Sequence, residues 1–541
     1  MTTLTADTIS SKGMTSEQRM VIFASSLGTV FEWYDFYIYG TLGAFLAKYF
    51  FSNVPANVGF IFALLAFAAG FAVRPFGALI FGRLGDTIGR KYTFLVTMSL
   101  MGVGTFFIGV LPGYASWGIA APIVLIALRL VQGLALGGEY GGAVIYVAEH
   151  APKNKRGFYT SWIQTTATLG LFMALLLILT IRTAMGEEAF SDWGWRIPFL
   201  LSAVLLGVSI WIRLKLQESP LFKKMVEEGK QSKRPLGEAF GEWKNAKIAI
   251  LALFGATAGE AVVWYGGQFY ALFFLTQTLK VPAVTAWLMI VVSLALGTGG
   301  FILFGWLSDK IGRKPIMMAG FALAAITYFP IFQGITHFAN PKLEAALSAS
   351  PVIVTADPSE CSFQFKATGT EKYTTGCDNI KSALVNLSVN YDNVTAPKGT
   401  PASVKIGNDV LAGPAATPAA IAAAVKAHGY PASADPADIN TPMTVLLLTI
   451  LVIYVTMVYG PIAAWLVELF PTRIRYTGLS LPYHIGNGWF GGFLPATVFA
   501  IVAATGNIYS GLWYPIAIAS MSFVVALIFL PETKDRDITN M

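Results

Sequence analysis

Residues 82–91 read Gly82-Arg-Leu-Gly-Asp86-Thr-Ile-Gly-Arg90-Lys91, and residues 305–314 read Gly305-Trp-Leu-Ser-Asp309-Lys-Ile-Gly-Arg313-Lys314. The two decapeptides agree at seven of their ten positions. A weaker echo follows each of them, because Glu149…Pro152…Arg156 is repeated as Glu468…Pro471…Arg475. Chance similarity of two basic loops is the alternative, but two echoes in the same order predict a chain built from two similar halves.

The composition is that of a membrane protein. Of the 541 residues, 55% are hydrophobic and only 12% are charged, with a mean hydropathy of +0.61. Soluble proteins carry about 25% charged residues, so this chain has too few charges to cover a water-facing surface. The same composition excludes intrinsic disorder.

Apolar runs of the length of a membrane span recur along the chain. A transmembrane helix needs about 20 mostly apolar residues, and twelve such runs are present, six in each half. They lie near residues 20–47, 57–81, 92–111, 118–148, 160–181, 195–214, 247–275, 284–306, 315–336, 442–467, 478–503 and 510–530. The sequence therefore predicts an all-α integral membrane protein with twelve transmembrane helices.

Lysine and arginine concentrate in the loops on one side. The short loops of the other side hold only Lys48, Arg182, Arg196 and Lys280. Because positive residues stay in the cytoplasm, both termini are expected there, with the protein in a bacterial inner membrane. This also explains the net charge of +7 without nucleic acid as a partner. The predicted segments are an N-terminal tail 1–19, a six-helix bundle 20–215, a central cytoplasmic loop 216–246, a second bundle 247–530 and a C-terminal tail 531–541.

The two echoes also locate an insertion in the second half. Lys91 and Glu149 are 58 positions apart, whereas Lys314 and Glu468 are 154 apart, so the second half holds 96 additional residues. Composition places them at 340–440, in a polar loop between the ninth and tenth helices. By the predicted orientation this loop faces outward.

Both cysteines, Cys361 and Cys377, lie in this loop. An outward loop is in an oxidising compartment, which favours a disulfide between them; two free thiols are the alternative. The cysteine spacing is not CxxC, and His428 is the histidine that accompanies them in the loop. We therefore expect no metal site and no cofactor.

The repeated decapeptide resembles the signature loop of the major facilitator superfamily. Other motifs resemble its metabolite:H⁺ symporter family: Phe31-Glu32-Trp33-Tyr34-Asp35-Phe36, Arg74-Pro75-Phe76-Gly77, Arg129-Leu-Val-Gln132-Gly133, Gly137-Gly138-Glu139-Tyr140-Gly141-Gly142, Trp193-Gly194-Trp195-Arg196-Ile-Pro198 and Glu468-Leu-Phe-Pro471-Thr-Arg-Ile-Arg475. The resemblance covers nearly the whole chain except 340–440, a segment that the family pattern lacks. It implies two pseudo-symmetric six-helix bundles with the substrate between them. It also implies transport of organic acids, proline or betaine together with protons.

Ionisable side chains inside membrane helices are costly and by default indicate a substrate site or a proton path. Those predicted to couple protons are Glu32, Asp35, Arg129, Glu139 and Glu260. Glu32 and Asp35 share one face of the first helix, and two neighbouring carboxylates do not both ionise cheaply. Arg129 is expected to pair with one of them and to exchange it for a substrate carboxylate. Structural ion pairs or, for Glu139, a packing role are the alternatives.

A second set of side chains is predicted to contact the substrate. It comprises Arg74, Tyr34, Tyr140, Gln268, Tyr483 and Asn487. Arg74 precedes Pro75, so it either binds an anion or bonds backbone carbonyls freed by a kink. His484 lies well inside a span and either titrates or bonds a neighbour.

The repeated loops are predicted to form an inner gate. Its residues are Gly85, Asp86, Gly89, Arg90, Asp309, Gly312 and Arg313, with Glu149 and Glu468 as partners across the gate. The glycines permit tight turns, and the charges hold the inner side closed. Solvated charges at the membrane surface are the alternative.

The predicted function is a proton-coupled symporter that imports a small organic acid, such as a mono-, di- or tricarboxylate. The alternatives are a proline/betaine-type symporter and, in a different class, a non-transporting sensor that uses the outer loop. A nucleotide-binding P-loop sequence is absent, and neither a metal cluster nor a hydrolase elbow supports an enzyme. The expected partners are the solute, protons and the lipid bilayer, and the protein is expected to be a monomer.

Overall fold

A computed structural model describes residues 15–53, 56–214, 218–362 and 374–538. The rest of the predicted tails (1–14 and 539–541), residues 215–217 at the start of the central loop and residues 363–373 of the 340–440 segment lie outside the described residues. Below, the face on which the first helix begins is called the inner face.

Six long helices form the N-terminal bundle. Helices 1 to 6 are Ser16–Thr41, Ala56–Ala72 with Arg74–Thr87, Arg90–Val110, Ala120–His150, Arg156–Met185 and Ile197–Leu214. Helix 2 is bent by 42° at Val73, directly before Arg74-Pro75, because a proline cannot continue the hydrogen-bond pattern of the preceding turn. Short helices Gly43–Phe50, Tyr114–Trp117 and Glu187–Asp192 join the long ones at the outer face.

Six further helices form the C-terminal bundle after the short helix Pro220–Glu227. Helices 7 to 12 are Trp243–Thr278, Ala283–Ile311, Arg313–Ala339, Thr441–Leu469, Thr472–Val502 and Trp513–Phe529. Helix 7 contains π-helical turns at Leu253–Thr257, Gly266–Tyr270 and Phe274–Thr278, and helix 11 contains one at Gly486–Gly491. Such turns are frequent at functional sites.

The described helices have the length and composition of membrane spans. Ten of them qualify outright, and the bent pair of helix 2 makes an eleventh. Helix 1, which carries Glu32 and Asp35, falls outside that set and completes the twelve. The predicted twelve-helix architecture is thus confirmed, and the charged groups of helix 1 explain why hydropathy alone undercounts it.

Equivalent helices pack in equivalent ways in the two bundles. Helix 3 packs on helices 4 and 6, and correspondingly helix 9 packs on helices 10 and 12. Between the bundles, helix 2 contacts helix 11 and helix 5 contacts helix 8. Small residues permit this second contact, because a Cβ on Gly305 would collide with Ser161 and one on Gly157 with the Gly305 carbonyl.

The described residues of the segment 340–440 form helices and strands, which corrects the expectation of a polar loop. The segment contains helices Pro341–Ala349, Gly376–Asn386 and Pro418–Ala427 and strands β1 Val352–Ala356, β2 Asp392–Thr395, β3 Ser403–Ile406 and β4 Asp409–Ala412. The sheet order is β2-β1-β3-β4, with β1 parallel to β2 and the other pairs antiparallel. Alternating apolar residues in β1 and β3 bury one face of the sheet. This alternation with a period of two residues is a sequence pattern that predicts strands.

A disulfide joins Cys361 to Cys377, as predicted. It links Cys361, which follows strand β1, to the first turn of helix Gly376–Asn386. Cys377 is fully buried, so the bond belongs to the core of this small α/β unit.

The α/β unit rests on the outer loops of the C-terminal bundle. The Ala434 amide donates to the Lys280 carbonyl at 3.0 Å, and the Tyr391 amide donates to the Gly506 carbonyl at 2.9 Å. The Ile508 amide donates to Asn390 Oδ1 at 2.8 Å. The unit is therefore seated on the loops between helices 7 and 8 and between helices 11 and 12.

Candidate functional site

The two copies of the repeated loop each cap a helix of the opposite bundle. Asp86 accepts hydrogen bonds from the backbone N–H of Tyr476 (3.2 Å) and Thr477 (2.8 Å) at the start of the helical run Arg475–Ile485. It also pairs with Arg90 at 2.9 Å. Because a helix N-terminus carries unpaired N–H groups and partial positive charge, a carboxylate there is well stabilised.

Asp309 makes the same contacts with the N-terminal bundle. It accepts from the backbone N–H of Gly157 and Phe158, both at 2.8 Å, at the start of helix 5. It pairs with Arg313 at 2.7 Å. The sequence repeat thus produces two related locks at the inner face.

Glu149 and Glu468 complete the inner gate with arginines from both bundles. Glu149 pairs with Arg475 at 2.8 Å and lies 4.0 Å from Arg90. Glu468 pairs with Arg313 at 3.0 Å and lies 3.5 Å from Arg156. Arg90 and Arg313 thus contact glutamates of their own bundle, and not across the gate as the sequence had predicted. The cross-bundle pairs are made by Arg475 and Arg156, which the sequence showed only as part of the weak echo.

The predicted glycines have definite roles in the gate. Gly89 and Gly312 have φ of +129° and +112°, a backbone region that other residues rarely adopt. Gly85 lies directly under the ring of Tyr476, where a Cβ would collide. A side chain at Gly85 would force the two bundles apart, whereas one at Gly89 or Gly312 would strain the turn itself.

Aromatic rings meet across the bundle interface farther from the inner face. Trp33 of helix 1 lies 5.8 Å from Trp264 of helix 7, and Tyr37 stacks on Phe269 at 5.7 Å. All predicted substrate-contact residues are at most 6% exposed. With the inner gate formed as well, the structure is an occluded state.

Tyrosines from both bundles stack at the centre of the interface. Tyr140 lies parallel to Tyr483, with centroids 3.6 Å apart, and the Tyr459 and Tyr483 hydroxyls are 3.0 Å apart. Gln164 Nε2 donates to the Tyr140 hydroxyl at 2.9 Å and to the Tyr459 carbonyl at 2.8 Å. Sequence reasoning brought Tyr140 and Tyr483 forward but missed Gln164 and Tyr459, although both lie within spans.

The polar residues of helices 7 and 11 meet in the C-terminal bundle. Asn487 Nδ2 donates to Glu260 Oε2 at 2.9 Å. Both side-chain polar atoms of Gln268 and both ring nitrogens of His484 lack a hydrogen-bond partner within the described part of the chain. Buried polar atoms left unpaired in this way are ready acceptors or donors for a solute or water.

Arg74 is buried at the interface without a carboxylate partner among the described residues. Its guanidinium lies 4.4 Å from the ring centroid of Phe71 and 5.0 Å from that of Phe36. Its Nε and Nη2 atoms have no hydrogen-bond partner in the same set of residues. A buried arginine normally pairs with an acid, so this one favours an anion that arrives from outside the protein.

Arg129 does not pair with Glu32 or Asp35 in the described structure, contrary to the sequence-based expectation. Its Nη1 donates to Gln132 Oε1 at 2.6 Å, and its guanidinium lies 4.1 Å from the ring centroid of Tyr39. Gln132 Nε2 in turn donates to the Thr105 hydroxyl at 2.7 Å, and Thr105 interacts with Asp35. Arg129 therefore reaches Asp35 only through two intervening side chains, Gln132 and Thr105.

The partner of Glu32 in the described structure is Arg213, a residue that the sequence analysis did not single out. Arg213 lies 3.4 Å from Glu32 and 3.5 Å from Glu139, and it packs over the ring of Phe94 at 3.3 Å. It was missed because it sits in the last turn of helix 6, where a basic residue is usually taken for a surface anchor.

Tyr34 lies apart from the other predicted contact residues. Its hydroxyl donates to the Pro198 carbonyl at 2.7 Å, and the side chain is fully buried within the N-terminal bundle. The structure therefore does not bring it to the interface with Tyr140 and Tyr483.

Comparisons with known proteins agree with this architecture. The chain matches the family model of sugar (and other) transporters over residues 20–254 and 411–541. It is 35% identical to the shikimate transporter of Escherichia coli over 59% of this chain and 73% of that protein. The proline/betaine transporter of Salmonella typhimurium is 36% identical over 57% of this chain and 63% of its own length.

Two further likenesses extend over almost the full length. A putative metabolite transport protein of Haemophilus influenzae is 30% identical over 96% of this chain and 95% of its own length. Most of the segment 340–440 therefore has a counterpart there, which corrects the expectation that relatives lack it. The proton:xylose symporter XylE, solved with 6-bromo-6-deoxy-D-glucose, has a TM-score of 0.61 at 15% identity and covers 97% and 98% of the two chains. This last likeness is one of fold.

Proposed function

The chain belongs to the major facilitator superfamily, as a multi-pass solute transporter, and from that premise we propose that it imports a small organic acid together with protons. The proposal places the protein in a bacterial inner membrane with the inner face and both termini in the cytoplasm. It describes a monomer that alternates between outward-open and inward-open states around the site between the bundles.

One observation carries the choice of an acid: two buried arginines of the N-terminal bundle that interact electrostatically, Arg74 and Arg129, have no carboxylate partner among the described residues. Arg74 has unpaired Nε and Nη2 atoms, and Arg129 has an unpaired Nε, among the described residues. The Arg129 guanidinium otherwise contacts Gln132 and aromatic rings. A guanidinium binds a carboxylate with two parallel hydrogen bonds. A solute with one or more carboxylates would neutralise this buried positive region, whereas a neutral sugar would not.

Proton coupling follows from the carboxyl groups on the N-terminal side. Asp35 is buried, and its Oδ1 has no hydrogen-bond partner within the described residues. A buried carboxylate is expensive unless it is paired or protonated. Asp35 therefore serves as the proton carrier, with Thr105 and Gln132 linking it to Arg129, so that anion binding at the arginine and proton binding at Asp35 favour each other.

Uptake into proteoliposomes tests this function. We expect radiolabelled organic acids, with shikimate and α-ketoglutarate as the first probes, to accumulate under an inward proton gradient. Arg74→Gln should lower acid uptake about tenfold or more, since a charge-assisted pair is worth about 1.5–3 kcal/mol. The matched control is Arg182→Gln, because Arg182 is 40% exposed and pairs only with the exposed Glu187 among the described carboxylates. Equal uptake by both variants would contradict the role of Arg74.

A compatible-solute symporter is the second candidate, and the aromatic rings at the interface favour it. Trp33, Tyr37, Trp264 and Phe269 lie close together, and aromatic faces attract quaternary ammonium groups. Glycine betaine and proline therefore join the uptake panel. Accumulation of betaine but of no acid would select this candidate, and absence of all transport together with ligand binding would favour the sensor.

A further inference from the structure

Three charged side chains meet inside the N-terminal bundle, away from the substrate-contact residues. Arg213 of helix 6 lies 3.4 Å from Glu32 Oε1 of helix 1 and 3.5 Å from Glu139 Oε1 of helix 4. Their side chains are 1%, 4% and 0% exposed, respectively. We call these three residues the inner triad.

The charges of the inner triad do not balance. Two carboxylates share one guanidinium, so the triad carries an excess negative charge when both acids are ionised. Its other neighbours within the described part of the chain do not supply a cation: helix 3 contributes Phe94 and Met98, helix 1 contributes Asp35, and helix 11 contributes Tyr476. A buried, uncompensated charge is strongly unfavourable, so one triad carboxyl binds a proton readily.

The triad has carboxyl oxygens that are free to take up this proton. Neither oxygen of Glu139 has a hydrogen-bond partner among the described residues, although both are buried. A small cavity is lined by both Glu32 and Asp35, with Met98 and Ser209 on its other walls. A buried water binds where polar groups line such a space, and it would connect the two carboxyl groups of helix 1.

The inner triad also touches the inner gate. The Tyr476 hydroxyl donates to the carbonyl of Gly138, the residue before Glu139, and the Tyr476 amide donates to Asp86. Arg213 lies within electrostatic range of the same tyrosine. A change of charge on the triad therefore alters the electrostatic environment of Tyr476, a residue that holds the two bundles together.

We propose that the inner triad is a second proton-binding site, one helical turn closer to the inner face than Asp35, and that Arg213 is the positioning residue that controls it. In the transfer, the O–H bond of the Asp35 carboxyl breaks and an O–H bond forms on Glu32. Asp35 becomes charged again, and Arg213 shifts its pairing toward Glu139. The inference rests on the proposed proton-coupled transport and names the next station of its proton path.

Infrared pH-difference spectroscopy on the full chain in lipid nanodiscs tests this proposal without a substrate. The carbonyl stretch of a buried protonated carboxyl is followed as the pH changes. Glu32→Gln or Glu139→Gln should remove a titrating band that is distinct from the Asp35 band, which Asp35→Asn identifies. Arg213→Gln should raise the midpoint of the triad band by about 1–3 pH units, the usual effect of losing an opposite charge at this distance.

The controls separate positioning from structure. Arg213→Lys keeps the charge and should restore most of the midpoint, and Arg182→Gln should leave it unchanged. If Arg213→Gln does not fold, the two glutamine variants and Arg213→Lys still decide. Triad bands unchanged in both Glu32→Gln and Glu139→Gln, or a folded Arg213→Gln that titrates like the wild type, would overturn the proposal. Titrating triad bands in a protein whose uptake ignores protons would instead overturn the proposed function and leave the binding site standing.

Discussion

The inner gate and the membrane interior differ in symmetry. At the gate, each bundle supplies an aspartate, two arginines and a glutamate in matching positions: Asp86, Arg90, Glu149 and Arg156 correspond to Asp309, Arg313, Glu468 and Arg475. In the interior, Glu32, Asp35, Arg129, Glu139 and Arg213 belong to the N-terminal bundle, whereas the C-terminal bundle holds Glu260 as its one carboxylate at that depth in the described helices.

The difference separates two tasks. Closing a passage between two related bundles needs the same lock twice, because each loop must cap a helix of the other bundle. The proposed proton transfer needs only one path, in keeping with three of the four described buried carboxyl groups at this depth, Glu32, Asp35 and Glu139, lying in the N-terminal bundle. We therefore expect substitutions at equivalent gate positions of the two bundles to have similar effects. Substitutions in the membrane interior should have effects in one bundle that have no counterpart in the other.

The largest expected effect is that of Asp35→Asn. Without a titratable group at this position, proton-driven accumulation should be lost, while solute exchange between the two sides of a vesicle continues because the binding residues are intact. Accumulation and counterflow measured in the same proteoliposomes give both readouts. Undiminished accumulation would defeat the assignment of Asp35, and loss of exchange as well would show that the side chain is structural.

The gate variants Asp86→Asn and Asp309→Asn should have equal, somewhat smaller effects. Each removes the negative charge that two amide groups and one arginine bind, and a hydrogen bond to a charged group is worth about 1.5–3 kcal/mol. The inside-closed population should fall about tenfold or more in both variants. Labelling of a cysteine introduced at the inner face measures it, and a strong effect in only one variant would break the predicted symmetry of the gate.

The disulfide should stabilise the α/β unit, called the outer unit below, and should not affect transport. Replacing Cys361 and Cys377 by serine opens a loop with a sequence separation of 16, which should cost the unit about 3 kcal/mol of stability. Limited proteolysis against temperature reports the unit, and uptake reports the transporter. Equal protease resistance of the variant and the wild type would contradict a stabilising bond.

The smallest effect on transport is expected from removal of the outer unit. Replacing residues 342–438 by a short flexible linker keeps Asn440, whose side chain caps helix 10. It also keeps Asn340, whose Nδ2 donates to the Leu279 carbonyl at 2.9 Å. Because the unit rests on outer loops of one bundle, uptake should stay near the wild-type rate. Normal membrane insertion with lost uptake would show that the unit takes part in transport.

Much of the fold could be predicted from sequence, for a physical reason. Membrane helices are recognisable by the length and apolarity of their sequence, and the repeated decapeptide indicates two similar halves. The gate residues were also predictable, since Asp86, Arg90, Glu149 and their counterparts recur at matching positions. The α/β unit escaped notice because its strands are four or five residues long, although β1 and β3 alternate as buried strands do.

Side-chain pairing inside the membrane was harder to predict. Arg129 and Arg213 are both single arginines in helices of the N-terminal bundle, and sequence does not tell which one faces Glu32. That choice depends on helix rotation and tilt, which packing against neighbouring helices determines. The same reason explains why Tyr34, two residues from Glu32, contacts Pro198 and not the interface.

The central claim is that solute and proton cross together because titratable groups of one bundle and an unpaired arginine share a buried site. Simultaneous recording of solute uptake and internal pH in proteoliposomes tests it most directly. We expect that adding the solute acidifies the interior of wild-type proteoliposomes and that a protonophore abolishes accumulation. In the Asp35→Asn variant, adding the solute should cause neither acidification nor accumulation. Accumulation that proceeds unchanged with the proton gradient collapsed would contradict it.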